Sequence, residues 1–128
     1  MERPWTAHYD PGVPASLDYP DISLPTFFDR TAERYPDRVA TVFHDARIRY
    51  GALKRRIDSF ASGLISAGIQ PGDRVAVMLP NVFEFPIAYY AALRIGAVIV
   101  PMNGLLKERE VAFYLGDAGA KSTQRFRQ

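Results

Sequence analysis

Two short apolar runs with a helix-forming stretch between them constrain this chain more than any other feature. Arg74-Val75-Ala76-Val77-Met78-Leu79 is apolar after its first residue, and Ala97-Val98-Ile99-Val100 is apolar throughout. Such runs suit strands buried on both faces, as in parallel sheets, because half-exposed antiparallel strands alternate instead. Pro80-Asn81 stops the first run and Pro101 the second. The stretch from about Val82 to Ile95 reads as a helix closed by Gly96. Asn81 followed by Glu84 predicts a capping box, and Pro86 is expected in the first turns at the loss of a backbone hydrogen bond. Strand, helix, strand is a βαβ unit. The predicted class is therefore α/β, with a short, mostly parallel sheet and helices on both faces.

The flanks fit the same class. Residues 1–22 hold Pro4, Pro11, Gly12, Pro14 and Pro20 and read as an extended, irregular arm. Trp5, Tyr9 and Tyr19 predict that the arm lies against something. Ser23 is placed to cap a helix that tolerates Pro25 in its first turn. Phe27, Phe28, Thr31, Ala32 and Tyr35 recur on one side of it, and Tyr35-Pro36-Asp37 ends it. Val39–Phe43 and Arg47–Tyr50 predict a β-hairpin turning through His44-Asp45-Ala46, with Ala46 a poor residue for a positive φ. Leu53, Ile57, Phe60, Ala61 and Leu64 mark the clearest amphipathic helix. Gly68 stands where a left-handed residue ends it, and Pro71-Gly72 continues the turn. A last helix, about Leu106 to Gly116, is expected to present Val111, Tyr114 and Leu115 to the sheet. Another strand should follow, but Ser122-Thr123-Gln124-Arg125-Phe126-Arg127-Gln128 has only one apolar residue.

Composition excludes several classes of function. With 128 residues, 48% hydrophobic and 23% charged, the chain suffices for one small domain with a core. It has no cysteine, hence no disulfide and no thiolate metal site. His8 and His44 are the only histidines and lack metal-ligand spacing. No signal-peptide pattern occurs, and no apolar run approaches the roughly 20 residues of a membrane span, so a cytoplasmic protein is expected. The net charge is +2, but Lys121, Arg125 and Arg127 lie in the last eight residues beside no acid, leaving −1 for the rest. Lys54, Arg55 and Arg56 splay by about 100° each around a helix, a solvated surface rather than a phosphate stripe. No nucleic-acid partner is expected.

Few phrases carry chemistry. Gly68-Ile69-Gln70-Pro71-Gly72-Asp73-Arg74 leads from a helix into a strand, whereas phosphate loops lead from a strand into a helix. Asp73 and Arg74 are therefore assigned to shaping the strand entry. Leu79-Pro80-Asn81-Val82-Phe83-Glu84-Phe85 runs the right way but has no glycine to let a pyrophosphate approach the backbone. Asp73 and Glu84 have separate local roles and make no carboxylate pair. Pro101-Met102-Asn103-Gly104 follows the second run at the carboxyl end, where open α/β sheets place ligands, and is the best place for a pocket wall. Asn103 is read as a loop or cap residue. Phe83, Phe85, Tyr89 and Tyr90 are read as packing. No nucleophile elbow, Walker loop, His-Glu-x-x-His or Ser-x-x-Lys is present.

Taken in order, these phrases resemble a known family. They are Tyr35-Pro36-Asp37-Arg38-Val39-Ala40, Arg49-Tyr50-Gly51-Ala52-Leu53, Gly68-x-x-Pro71-Gly72-Asp73-Arg74-Val75-Ala76, Leu79-Pro80-Asn81-x-x-Glu84-Phe85, Gly96-Ala97-Val98-x-Val100-Pro101-Met102-Asn103 and Leu105-Leu106-Lys107-x-Arg109-Glu110. The string resembles the N-terminal region of AMP-forming acyl-CoA synthetases, in the adenylate-forming ligase superfamily. It spans residues 23–121, a partial N-terminal α/β domain, and leaves 122–128 as a polar tail outside the family pattern. Residues 101–110 lean toward the fatty-acyl-CoA ligase branch.

The resemblance implies a reaction for the full-length family. A carboxylic acid and ATP give an acyl-adenylate and diphosphate, and CoA then displaces AMP to form the thioester. ATP, Mg²⁺ and CoA are implied for the whole enzyme and none for this segment. The phosphate loop, the adenine and metal motif, the ribose motif and the C-terminal catalytic lysine are not found in this sequence. No catalytic, cofactor-binding or metal role transfers to any of its residues, and Lys121 with Ser122-Thr123 does not substitute for the phosphate loop. Arg49 replaces the usual Ser/Thr before Tyr50, weakening that helix start, and Gly104 stands where proline is common. The change at Lys121 is expected to mark a frameshift, an early stop or a gene-model boundary. Alone, the chain is expected to be inactive. The alternatives are a non-catalytic scaffold or interaction module and one half of a split enzyme. Self-association through exposed edges is expected.

Overall fold

The computed structural model describes residues 3–120. A short 3₁₀ turn at Pro4–His8 opens the arm, followed by α1 (Leu24–Arg34), β1 (Val39–Phe43), β2 (Ala46–Arg49), α2 (Tyr50–Ser66), β3 (Arg74–Val77), α3 (Glu84–Arg94), β4 (Val98–Pro101) and α4 (Glu108–Ala118). The α/β reading holds. The strands form two separate pairs: β1–β2 is antiparallel and β3–β4 parallel, in register Arg74↔Val98 through Val77↔Pro101.

The centre is the packing of α2 on α3. Leu53, Ile57 and Ala61 of α2 share a cluster with Ala91 of α3, joined by Phe28 and Ala32 of α1 and Ile48 of β2. Ala88 and Ala92, on a neighbouring strip of α3, form a second cluster with Val75, Val77 and Ala97. Phe60, Leu64 and Ile95 pack against both, so the two clusters make one continuous core.

The helix boundaries have local causes. Ser23 accepts from the Thr26 N–H at 3.3 Å, capping α1 as predicted. The start of α2 has no side-chain cap, but Tyr50 N–H donates to the Arg38 carbonyl and Gly51 N–H to that of Pro36. These carbonyls do the work of the missing hydroxyl. Arg49 reaches the Asp37 carbonyl at 2.7 Å, a tie that Ser or Thr is too short to make. At the far end Gly68 N–H donates to Ile65 and Ile69 N–H to Leu64, a Schellman motif with Gly68 at φ 87°. Gly96 (φ 76°) ends α3 the same way, through Leu93 and Ala92. The two exits interlock, since Gly72 N–H donates to the Gly96 carbonyl at 2.8 Å.

Several expectations are corrected. Trp5 and Tyr19 are 56% and 79% exposed, so the arm's aromatics do not lie against the described chain. Phe27 also faces outward, and α1 buries only Phe28 and Ala32. The hairpin turns on His44-Asp45; His44 takes the positive φ (51°) and Ala46 pairs with Phe43, while Tyr50 begins α2 rather than ending β2. Helix α3 starts at Glu84 without a side-chain cap, so the Asn81 box is not formed. Pro86 is then third in the helix, where an N–H has no intrahelical partner, and no backbone bond is lost. The parallel pair is not covered on both faces: Val98 of β4 is 50% exposed, and Met78, just past β3, is 42% exposed. Helix α4 begins at Glu108, buries no residue and leaves Tyr114 exposed; Val111 and Leu115 are half-buried. The expected missing strand and the polar tail at 122–128 lie outside the described residues.

Two glycine substitutions should separate these effects. A Cβ on Gly96 would sit 3.2 Å from Pro71 Cβ at a left-handed φ, whereas one on Gly63, inside α2, would meet nothing within 4 Å. Gly96→Ala is expected to destabilise by about 1–2 kcal/mol, and Gly63→Ala to stabilise by about 0.5–1 kcal/mol. Urea unfolding midpoints check this, and shifts of the same sign would contradict it.

Candidate functional site

The parallel pair directs its carboxyl ends to one edge. Beyond β3 lie Met78 to Asn81, and beyond β4 lie Met102 to Gly104. Met102 N–H donates to the Val77 carbonyl at 2.8 Å, carrying the ladder past the strand and burying the Met102 side chain. Asn103 Oδ1 accepts from Leu105 N–H at 3.0 Å, which closes the loop, as expected for a turn residue. Glu110 then accepts from Lys107 N–H at 2.8 Å and steadies the first turn of α4. The edge is therefore a rigid wall. Its residues 78–82 and 102–105 include no acid and no base.

The ionisable side chains that the structure does assemble lie elsewhere. Asp29 of α1, Lys54 and Asp58 of α2 and Arg94 of α3 form one network. Lys54 Nζ is 2.8 Å from Asp29 and 3.7 Å from Asp58, and Arg94 donates one nitrogen to each carboxylate. Burial acts to raise the Asp29 carboxyl, but hydrogen bonds from Lys54 and Arg94, with their charges, outweigh it and hold the group below its ordinary value. Burial, then the neighbouring Tyr89 and Tyr50 hydroxyls, push Tyr90 upward. Only Lys54–Asp58, four apart on a helix, was visible from spacing. The other two members come from separate helices and carry no sequence signal.

The sequence matches the family of AMP-binding enzymes over residues 28–123. The chain belongs to that family. As a family member it is 39% identical, over 94% of its length, to a long-chain-fatty-acid–CoA ligase of Yersinia pestis, of which it spans 22%. It is 38% identical, over 79% of its length, to a medium-chain fatty-acid–CoA ligase of Escherichia coli, of which it spans 18%. Among solved structures, it superposes on the Klebsiella oxytoca NpsA N-terminal subdomain in complex with 3-hydroxyanthranilyl-AMSN with a TM-score of 0.75. Identity there is 36%, covering 77% of this chain and 25% of that one. The inhibitor-bound N-terminal domain of FACL13 from Mycobacterium tuberculosis gives a TM-score of 0.72 at 36% identity, covering 76% and 25%. The chain thus spans about a fifth of its curated relatives and resembles part of the N-terminal subdomain of adenylate-forming enzymes.

Within this segment the sequence-marked residues take structural positions. Asp73 accepts from Gln70 N–H at 3.0 Å and shapes the entry to β3. Arg74 reaches the Gly119 carbonyl at 3.1 Å and ties down the end of α4. Glu84 lies beyond the other end of β3, so it and Asp73 are not brought together. Phe83 packs on the first cluster, and Phe85 on the second. Tyr90 meets the Phe28 ring at 4.8 Å, and Tyr89 stacks on Phe85. Arg55 and Arg56 are exposed as expected; Lys54 departs from that expectation by joining the network. Among the described residues no three His, Cys, Asp or Glu side chains gather as for a metal, and no helix is long and apolar enough to cross a membrane. The strand edge does not fit a nucleotide or Mg²⁺: the Asn103 oxygen is already used, and the loop after β3 has no glycine.

The Asp29 carboxyl gives a pH dependence. Its folded value lies below 3.8, so the unfolded chain binds the proton more readily. The stabilisation is present above the unfolded value and is lost as pH falls through the folded one. Asp29→Asn should cost about 1 kcal/mol near neutral pH, because the network is part-exposed. It should also flatten the acid limb of the stability curve. An acid limb equal to the parent's would count against the coupling.

Proposed function

We propose that this chain is a scaffold segment of a cytoplasmic fatty-acyl-CoA ligase and does not turn over alone. The carrying observation is the 39% identity across nearly the whole chain to a long-chain-fatty-acid–CoA ligase of which it spans only 22%. In the complete enzyme, the acid attacks ATP to release diphosphate, and CoA displaces AMP from the acyl-adenylate. This segment's part is mechanical. The α2–α3 pair seats the parallel strands, and the loops after β3 and β4 supply a wall without reacting groups. Acid-dependent ATP–diphosphate exchange by the purified chain, with a panel of fatty acids, is expected to stay at background. Turnover would overturn the reading.

A second reading, a non-catalytic module or half of a split ligase, is favoured by one observation. Apolar side chains stand uncovered on β4 and α4 and in the loops after the parallel strands: Val98, Phe113, Met78 and Leu105. Surface of this kind marks an interaction face or an association hazard. The chain is expected to self-associate with rising concentration in sedimentation velocity, and Leu105→Glu with Phe113→Glu to weaken that association. A monodisperse monomer with a sharp thermal transition would contradict it.

A further inference from the structure

Helix α1 is joined to the rest of the molecule through a narrow stripe. Of its eleven residues only Phe28 and Ala32 are buried. Phe28 fits between the Tyr50 and Tyr90 rings, at 6.0 and 4.8 Å. Leu24, Phe27 and, in the arm before them, Trp5, Val13, Leu17 and Tyr19 are exposed. Elements with few buried contacts occupy the low-stability end of a fold and open before the rest.

Asp29 is on the same stripe, and it faces the charge network. Two cations and two carboxylates balance there, and Arg94 touches both the α1 carboxylate and the α2 carboxylate from α3. The Arg94 side chain is 21% exposed, and its Nε is buried without a hydrogen-bond partner. Releasing Asp29 therefore leaves a surplus positive charge on a guanidinium that is already incompletely paired, at a cost that solvent moderates. Asp29 and Asp58 repel each other and are held in one network only by the cations between them.

We propose that Arg94 is the hub of an electrostatic latch that clamps α1 onto the α2–α3 pair, so that α1 opens as one unit when the latch is broken. Opening withdraws Phe28 and uncovers the slot between Tyr50 and Tyr90. Lys54 is the secondary clasp, reaching the same two carboxylates from α2.

Hydrogen exchange on the full chain tests this. In the parent, the amides of α1 are expected to share one opening free energy well below that of the amides around Ile57 and Ala91. In Asp29→Asn the α1 amides are expected to exchange about fivefold faster. One opening free energy common to all three helices would show that α1 opens only with the whole molecule, and unchanged α1 rates would show that no latch exists; either overturns the proposal. Should the variant fail to fold, the parent chain in about 1 M sodium chloride supplies the same comparison by screening the network. Asp29→Asn combined with Asp58→Asn tests the hub. The two effects on α1 exchange are expected to be non-additive, because both act through Arg94. Additive effects would sink the hub and leave two independent ion pairs.

Discussion

The contact of α2 with α3 is the one on which every other element is seated. Ile57, Ala91 and Ala92 are all completely shielded from solvent. The pairing is asymmetric: α2 offers Leu53 and Ile57, and α3 answers with Ala91. Alanines at 88, 91 and 92 also free α3 to serve two clients. Ala91 faces the cluster that holds α1 and β2, and Ala88 and Ala92 face the strands. A larger residue at any of these positions would push apart two halves of the core at once.

The strands inherit their alignment from the same helices. Both α2 and α3 end in a glycine with left-handed backbone, and the chain leaves each toward the start of a parallel strand. Those exits touch: Pro71 abuts Gly96, and Gly72 donates to the Gly96 carbonyl. Val98 N–H then donates to the Asp73 carbonyl, which is the first rung of the ladder. Register is therefore set before the strands begin, by two turns locked together. This explains why a glycine-rich phrase that invites a phosphate reading is occupied by backbone instead.

Much of this was legible from the sequence, and the failures have identifiable causes. The apolar period of α2 and the Ser23 cap are local signals whose tertiary partners agree with them. Asn81 and Glu84 carried an equally good local signal that lost to Pro86. A helix capped by Asn81 would place Pro86 beyond the first turn, where its ring removes a backbone bond. Starting at Glu84 puts the same proline among donors that are unpaired in any case. The continuous apolar character of β3 and β4 predicted burial on both faces, but the described residues leave Val98 half-exposed on one of them. The charge network shows the opposite limit. Its members lie on α1, α2 and α3, and hydrogen bonds span as many as 65 residues of sequence, so no window could reveal it.

The residues that carry the family resemblance turn out to be fold residues almost without exception. The Pro36 carbonyl receives the Gly51 N–H, and a Cβ on Gly51 would come within 3.3 Å of that oxygen. Pro71, Gly72 and Gly96 form the interlocked exits. Asp73 closes its own turn, and Asn103 the next. These are positions where a backbone group must be satisfied or a side chain must be absent, and such demands do not depend on any ligand. Family membership is thus written in geometry that specifies a wall and its supports. Substrate choice needs side chains free to meet a ligand, and at the edge of β3–β4 the polar side chains are the amides of Asn81 and Asn103, the latter already engaged.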